Sequence, residues 1–381
     1  MLSSQEIPLN VAIVGAGLAG LLAARVLREK HNVKVGAAIN IGPNGVRILD
    51  TLGFDRLNAG SQAVGATKVF TKDGKLTLDE KHNYAEKYGA DWLFQHRADL
   101  RNEFLRLATE ETATSGIPGK PAQIFWDQKV VDISPEQGWI TLDSGEKIHA
   151  DLVIAADGIK SAIRPHVVGD AAFQTARPSG LSAFRFTLEV DEIKQSLNEN
   201  PQILQPDQPT CLSTVYSFDE TMRSVVMYPC RNFQILNFVC IVPDSSLKEE
   251  TTESWTASGD RVELLSLFTD FPVWVQDYLR YELQFHNFGT MRGMSPRGQG
   301  GTQAVEDAEA FRLFLQPGVS SADVPQLLRN LDSVRRPRAS LIQNNTRKAK
   351  NKRTAEEVFM FEKINWTYPG IFEGLKTANV A

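Results

Sequence analysis

The pattern of apolar and polar residues at the start of the chain predicts a strand, a helix and a second strand. Residues 11–14 form a short apolar run that ends in glycine, as in a buried parallel strand. Apolar residues then recur at helical spacing over 18–30, and the charged residues fall mostly off that face. Residues 33–35 resume a strand. This order predicts a βαβ unit and therefore an α/β domain.

After residue 35, the predicted elements change from a mixture of helices and strands to mainly strands, and then to helices. Helices are predicted over 44–52 and 100–111, and a hairpin-like pair over 139–155 ends in a very apolar strand. Four β-rich stretches separated by turn residues predict a mostly antiparallel sheet, over 182–190, 214–218, 223–228 and 234–242. Helices return over 304–315 and in a basic stretch, 334–353, which we interpret as a solvated helix packing on the first domain.

Composition and charge narrow the class of protein without naming a function. The chain is 42% hydrophobic and 23% charged, and its net charge of -5 gives no reason to expect nucleic acid or an anionic membrane as a partner. Cys211, Cys230 and Cys240 lack metal-ligand spacing and favour a reducing compartment over a disulfide framework. With no secretory signal and no apolar run of about eighteen residues, we expect a cytoplasmic protein, monomeric or homodimeric.

A glycine-rich turn, GAGLAG over 15–20, follows the first strand and opens the first helix. In such a turn Gly15 permits the tight bend, Gly17 lets a pyrophosphate approach the backbone, and Gly20 lets helix and strand pack closely. The helix N-terminus offers unpaired N–H groups to phosphates. Taken alone, the turn is compatible with NAD, FAD or a bare α/β connection. The strand before it and the helix after it favour a dinucleotide.

Three further segments resemble motifs of flavoprotein aromatic hydroxylases. Residues 151–158 (DLVIAADG), followed by Ser161 and Arg164, resemble the Asp-Gly motif of that family. Residues 295–301 (SPRGQGG), followed by 306–308 (EDA), are similar to its flavin-covering loop and the helix after it. Residues 96–100 (HRADL) are similar to the segment that supplies an arginine near the flavin. The four motifs occur in the family's order, and the sequence is most similar to the salicylate-hydroxylase-like branch found in fungi.

The resemblance implies an α/β fold in which a Rossmann-like FAD-binding domain is interleaved with a β-sheet substrate domain. Placed on this sequence, the family's domain organisation implies a discontinuous FAD-binding domain over residues 5–75, 95–170 and 287–353. The β-rich substrate domain then comprises residues 76–94 and 171–286. Residues 354–381 are left as a C-terminal segment.

The same resemblance implies which residues bind FAD and the passing NADPH or NADH, between which the sequence does not distinguish. The implied cofactor-binding residues are Gly15, Gly17, Gly20, Gly36, Ala37, Arg97, Asp157, Gly158, Gly298, Gly300 and Gly301. Among them, the last three glycines would bring backbone N–H groups to the flavin edge, where they stabilise negative charge. Two of these assignments have structural alternatives: Arg97 as a surface cap, and Asp157 with Gly158 as a plain strand-end turn.

In the β-rich region, the resemblance implies catalytic roles for Arg185 and Tyr228. In similar hydroxylases an arginine and a tyrosine at these places hold a small aromatic substrate as a phenolate, which attacks a flavin C4a-hydroperoxide formed with O2. A guanidinium pairs well with an anionic oxygen, and a phenol donates a second hydrogen bond. The structural alternatives are a sheet-surface charge for Arg185 and a core aromatic for Tyr228.

Two features of the family pattern are missing. No Asp or Glu occurs over residues 33–49, where the dinucleotide motif has a ribose-binding carboxylate. Residues 286–293 (HNFGTMRG) contain neither an apolar strand nor the aspartate of the family's Gly-Asp motif. Three interpretations therefore remain: a working monooxygenase that tolerates two deletions, a mis-assembled or spliced form of one, and a flavin-deficient remnant that only binds small molecules or proteins. If the protein were an NAD-dependent dehydrogenase, the motifs at Asp157-Gly158 and Gly298–Gly301 would have no role.

Overall fold

The computed structural model describes residues 7–37, 41–170, 179–196, 210–248, 260–285, 289–292, 300–347 and 355–378. The chain divides into two compact units, each assembled from separate stretches. Unit 1 comprises Met1–Ala59, Arg97–Thr175 and Arg297–Ala381, and unit 2 comprises Gly60–His96 and Ala176–Pro296.

Both units contain strands and helices. The strands are β1 Asn10–Gly17, β2 Asn32–Ala37, β3 Gln62–Ala63, β4 Ala66–Thr71, β5 Leu76–Lys81, β6 Leu93–Phe94, β7 Val130–Ser134, β8 Trp139–Leu142, β9 Lys147–His149, β10 Leu152–Ala155, β11 Leu181–Glu189, β12 Cys211–Tyr216, β13 Ser224–Cys230, β14 Ile235–Pro243 and β15 Gly289–Arg292. The helices are α1 Leu18–Leu27, α2 Pro43–Thr51, α3 Tyr84–Tyr88, α4 Arg97–Thr109, α5 Thr112–Ser115, α6 Arg164–Val168, α7 Val190–Ser196, α8 Arg261–Leu267, α9 Val273–Phe285, α10 Gly300–Ala310, α11 Val324–Arg347, α12 Ala355–Trp366 and α13 Ile371–Ala378. Short 3-10 helices span Asp244–Ser246, Phe311–Leu315 and Ser321–Asp323.

Unit 1 is built around a parallel sheet in the order β10-β1-β2. Helix α1 connects β1 to β2 and packs against both strands and against α4 and α10. Nearly every residue of α1 is buried, Arg25 included, because neighbouring elements cover the helix on several sides. The predicted βαβ unit is thus confirmed. The hairpin predicted over 139–155 is confirmed: β8 and β9 pair antiparallel in a separate sheet of order β7-β8-β9, and the apolar strand that follows them, β10, pairs with β1.

Unit 2 is built on a seven-stranded sheet in the order β15-β11-β14-β13-β12-β4-β5. The four β-rich stretches predicted from the sequence form β11 to β14, and they pair antiparallel as expected. One face of the sheet packs against α8 and α9 in a core that includes Phe184, Phe238, Phe268 and Tyr278. The opposite face carries a smaller apolar group, formed by Leu181, Ala183, Val239 and Ile241 with Val226 packed on it.

Two pairings in this sheet were not expected from the sequence. Strand β4 runs parallel to β12, so residues 60–75, grouped with the FAD-binding part by the sequence, lie in unit 2. Strand β15 occupies residues where no apolar strand was expected, and it pairs antiparallel with β11. A strand at a sheet edge needs only backbone hydrogen bonds on one side, so its side chains need not be apolar.

The C-terminal helices α12 and α13 belong to unit 1, although the sequence left residues 354–381 as a separate segment. The basic stretch 334–353 lies partly in α11, and its residues 348–354 fall outside the described part of the chain. Across the residues described here, no helix combines the length and the hydropathy required to cross a membrane.

Candidate functional site

The turn between β1 and α1 is shaped by Gly15 and Gly17. Gly15 has a φ of +108°, and a Cβ added there would lie 2.2 Å from the carbonyl oxygen of Ala156. Only glycine therefore fits, and the turn comes directly against the end of β10. Gly17 caps α1 in an extended conformation without a side-chain hydrogen bond, and the first turn of α1 has no acidic residue. The helix N-terminus consequently presents uncapped N–H groups and the positive end of its dipole, which suits an anion.

Gly36 and Ala37 lie at the end of β2, beside this turn. They pair in parallel with Ala16 and Gly17 of β1, after a register shift that begins at Ala12. The strand runs without interruption through residues 32–37. The structure thus brings these two predicted cofactor-binding residues next to the glycine turn, while Gly20 is buried within α1.

Asp157 and Gly158 form a self-contained turn after β10. The Asp157 carboxylate accepts a hydrogen bond from the Ala162 N–H (2.9 Å), and Arg164 donates to the Gly158 carbonyl oxygen (2.9 Å). Gly158 has a φ of +82° and open space where a Cβ would be. These hydrogen bonds and this backbone conformation explain the presence of both Asp157 and Gly158 in structural terms. Its position beside Gly15, through Ala156, also places it next to the anion-binding helix end.

The N-termini of α2 and α10 meet in unit 1. The N–H of Gly42, the N-cap of α2, donates to the Thr302 hydroxyl in the first turn of α10 (2.8 Å). Gly300 and Gly301 are the first two residues of α10, the former exposed and the latter buried. Gly298 lies outside the described residues. Two predicted glycines are thus located at a helix N-terminus, where backbone N–H groups are available.

Sequence reasoning missed a buried polar pair close to these helix ends, Asn44 and Glu306. Glu306 is 0% exposed, and its carboxylate accepts from Asn44 Nδ2 (2.5 Å), Arg335 (2.5 Å) and Arg338 (2.6 Å). This contact fixes the amide of Asn44, whose Oδ1 atom is buried without a hydrogen-bond partner. No sequence signal marks Asn44, because its role depends on a residue more than two hundred positions away.

Arg97 is the first residue of α4, and its side chain is exposed.

These features test whether unit 1 suits FAD. The glycine cradle at Gly15 and the uncapped N-terminus of α1 fit a pyrophosphate, and Asn44 Oδ1 is a buried acceptor without a partner. Residues 33–49 offer no carboxylate for the ribose hydroxyls. The residues present therefore fit the phosphate part of the cofactor, and the ribose contact typical of dinucleotide sites is missing.

Arg185 and Tyr228 lie on the same face of the unit 2 sheet, opposite the face covered by α8 and α9. Arg185 pairs with Val239 on β14, and Val239 pairs with Val226 on β13, two residues before Tyr228. Because directly paired residues point to the same side of a sheet, both side chains share the face that carries the smaller apolar group. The structure brings together the two catalytic residues predicted from the sequence.

Tyr228 is held by an aromatic contact that the sequence did not indicate. Its ring stacks on Phe94 of β6, with ring centroids 4.6 Å apart and an interplanar angle of 21°. Burial raises the pKa of Tyr228 to about 12, and the positive charge of Arg185 offsets this only in part. The phenol is therefore neutral at physiological pH and remains a hydrogen-bond donor.

The three cysteines are buried and form no disulfide, as expected for a chain without a disulfide framework. Burial raises the pKa of the Cys211 and Cys240 thiols, which keeps them protonated and poorly nucleophilic.

No protein-family model matches the chain. A FAD-dependent monooxygenase of Aspergillus candidus is 32% identical over 376 residues, which cover 88% of this chain and 84% of that protein. Hispidin-3-hydroxylase of Neonothopanus nambi is 27% identical over 385 residues, covering 90% of this chain and 88% of that protein. The solved structure of a salicylate hydroxylase substrate complex has a TM-score of 0.72 at 21% identity, covering 97% of this chain and 98% of the other. CtdE in complex with FAD also has a TM-score of 0.72, at 20% identity, covering 98% of this chain and 100% of the other.

The two solved structures confirm the predicted fold class, with helices and sheets arranged as in salicylate-hydroxylase-type flavoproteins. The relative from Aspergillus candidus matches most of both chains at an identity that reflects common descent. This chain belongs to the family of FAD-dependent monooxygenases.

Proposed function

We propose that this monooxygenase hydroxylates a phenolic substrate, which Arg185 and Tyr228 hold as a phenolate, with O2 and either NADPH or NADH as co-substrates. The observation that carries the proposal is the position of the two residues on one face of the unit 2 sheet, where burial raises the pKa of the Tyr228 phenol and extends its neutral form further into alkaline pH. The relatives support the substrate class, since one is named hispidin-3-hydroxylase and another 3-amino-4-hydroxybenzoate 2-monooxygenase.

Arg185 and Tyr228 have complementary roles toward the substrate oxygen. The guanidinium stays charged at any working pH and favours the deprotonated phenol, whose ring is then electron-rich and open to attack by an electrophilic oxygen. The Tyr228 phenol keeps its proton on Oη and donates a second hydrogen bond to the same oxygen. The smaller apolar group on this face, which includes Val239 and Ile241, suits the hydrocarbon part of the substrate.

The cofactor would be held in unit 1. Gly15, Gly17 and the N-terminus of α1 would bind the pyrophosphate of FAD, beside Gly36 and Ala37, and Gly300, Gly301 and Asn44 would offer polar backbone or side-chain groups to the rest of the molecule. Gly20 would permit close helix packing, while Arg97, Asp157, Gly158 and Gly298 are proposed contacts on the strength of the family resemblance. When bound, FAD supplies the redox chemistry that takes electrons from NAD(P)H and activates O2.

The test measures product formation and flavin content in matched variants, with FAD supplied in excess. We expect Arg185→Ala and Tyr228→Phe to reduce the rate of product formation roughly ten- to a hundred-fold, since each removes a hydrogen bond to a charged oxygen worth about 1.5–3 kcal/mol. Flavin content should stay unchanged. The controls are Arg280→Ala and Tyr216→Phe, which alter exposed residues of unit 2. Equal product from wild type and both site variants would remove Arg185 and Tyr228 from the site.

A further inference from the structure

Asn237 lies on an interior strand of the sheet that carries the two proposed catalytic residues. It stands on β14 directly opposite Tyr228 on β13 and Thr187 on β11. Its chain neighbours Leu236 and Phe238 point into the core beneath α8 and α9. Because side chains alternate along a strand, Asn237 lies on the other face, together with Tyr228.

The amide nitrogen of Asn237 is a buried donor with no hydrogen-bond partner among the described residues. Buried polar groups in native proteins are nearly always paired, so such a donor requires a specific explanation. The side chains beyond it on the same face of β14, Val239 and Ile241, are apolar and provide no acceptor. A ligand with an acceptor oxygen at this position would satisfy the group.

The strand order places Asn237 between the two proposed catalytic residues. Strand β14 lies between β11, which carries Arg185, and β13, which carries Tyr228. Neighbouring strands are about 4.8 Å apart, so the long side chains of Arg185 and Tyr228 reach toward a ligand above the strand that carries Asn237. Arg185 and Tyr228 would hold the phenolic oxygen of such a ligand. The Asn237 amide would then be available to donate a hydrogen bond to another polar atom of the same molecule.

We infer that Asn237 is a third substrate-binding residue, which donates a hydrogen bond to a second oxygen of the substrate. The enzyme would then select phenols that carry another oxygen acceptor, such as a carbonyl or carboxylate, close to the phenolic oxygen. A substrate without that oxygen leaves the buried donor unpaired, and sites built this way discriminate strongly against such analogues. The inference rests on the proposed function and deepens it.

The experiment measures the affinity of the FAD-loaded enzyme for matched phenols by titration of the flavin spectrum. The probes are 2-hydroxyacetophenone and 3-hydroxyacetophenone, each compared with the ethylphenol that has CH2 in place of the carbonyl. We expect wild type to bind one acetophenone at least about ten-fold more tightly than its ethyl counterpart. Asn237→Leu should reduce that preference to about two-fold or less, with the affinity for the ethylphenol retained.

A second variant and a control separate hydrogen bonding from general packing. Asn237→Asp keeps the size of the side chain but lacks the N–H donor, so it should also lose the preference. Thr187→Val, on the same row of the sheet, should keep it. A preference that survives in both Asn237 variants, or is absent from wild type, would overturn the inference and leave the proposed function standing. If neither class of phenol perturbs the flavin of wild type, the proposed function itself fails, and the inference with it.

Discussion

At the scale of single residues, the protonation state of Tyr228 determines what it can do. Burial raises the pKa of its phenol to about 12 despite the nearby charge of Arg185. A raised pKa in an acid means that the neutral form persists to higher pH than in water. Tyr228 is therefore a donor throughout the working range, and the negative charge in the site must come from the substrate.

This assignment predicts how activity varies with pH. We expect the ratio of kcat/KM between wild type and Tyr228→Phe to stay constant from about pH 6 to about pH 10, because the phenol does not ionise there. Steady-state rates measured with one phenol across that range give the ratio. A ratio that falls toward one with a midpoint near neutral pH would show that Tyr228 ionises and would contradict its role as a donor.

The resemblance to aromatic hydroxylases singled out Arg185 and Tyr228 in the sheet of unit 2 but gave no indication of their neighbours. Phe94 lies in a two-residue strand, and Asn237 looks like an ordinary polar position in an alternating pattern. Their contacts with Tyr228 depend on which residues of different strands face each other, and register between distant strands cannot be read from one sequence.

At the scale of elements, the buried carboxylate of Glu306 joins α10 to α2, α11 and α12. It binds Arg335 and Arg338 of α11, and Arg338 also donates to the carbonyl oxygens of Ile364 and Asn365 in α12. The two arginines are three residues apart and so share a face of α11. The basic stretch does pack on unit 1 as predicted, but these side chains are turned inward and are not solvated.

Loss of this charge should destabilise the fold much more than loss of a surface carboxylate. Glu306→Gln keeps the size of the side chain and removes the carboxylate that binds both Arg338 and Arg335, of which Arg335 keeps its ion pair with Asp307; we expect this loss to cost about 3–5 kcal/mol. Glu373→Gln is the matched control, because Glu373 of α13 is exposed and its carboxylate pairs with the exposed Lys376, and it should cost about 0.5 kcal/mol or less. Denaturant unfolding of both variants gives the two values. Equal costs would mean that the Glu306 cluster contributes no more than a surface pair.

Helices and strands were predicted well where the local pattern of apolar residues determines them. They were predicted poorly where they depend on pairing between distant strands. The periodic apolar residues of α1 and α4 located both helices to within a few residues. Strand β15 was not expected, since GTMR has no apolar alternation, and the parallel pairing of β4 with β12 joins segments far apart in sequence. Such long-range pairing is specified by the whole sheet and leaves little local signal.

At the scale of the whole molecule, the proposed FAD site has a glycine turn and a helix N-terminus for the pyrophosphate, but the sequence has no carboxylate over residues 33–49 or 286–293. Loss of two charge-assisted contacts should weaken FAD binding by about 3–6 kcal/mol if the effects add. This corresponds to roughly a hundred- to ten-thousand-fold in affinity. FAD would then dissociate from this chain during purification.

Restoring the missing segments should therefore restore retained flavin. We expect a Glu-bearing loop inserted between Val35 and Gly36, together with a strand ending in Gly-Asp before Met294, to raise the ratio of flavin to protein after desalting. The same insertions carrying Gln and Asn in place of the carboxylates are the control and should restore much less. If the unmodified chain keeps stoichiometric FAD, and its gene has no in-frame coding sequence at these two points, the interpretation as deletions is wrong.

The measurement that tests the central claim most directly is the fate of molecular oxygen. The protein, supplied with excess FAD, NADPH or NADH and a panel of phenols, would be incubated under 18O2 and the products analysed by mass spectrometry. The account predicts a hydroxylated phenol that carries one 18O atom, formed only when protein, FAD and reductant are all present. Absence of any hydroxylated product across the panel, or a product whose new oxygen comes from water, would contradict it.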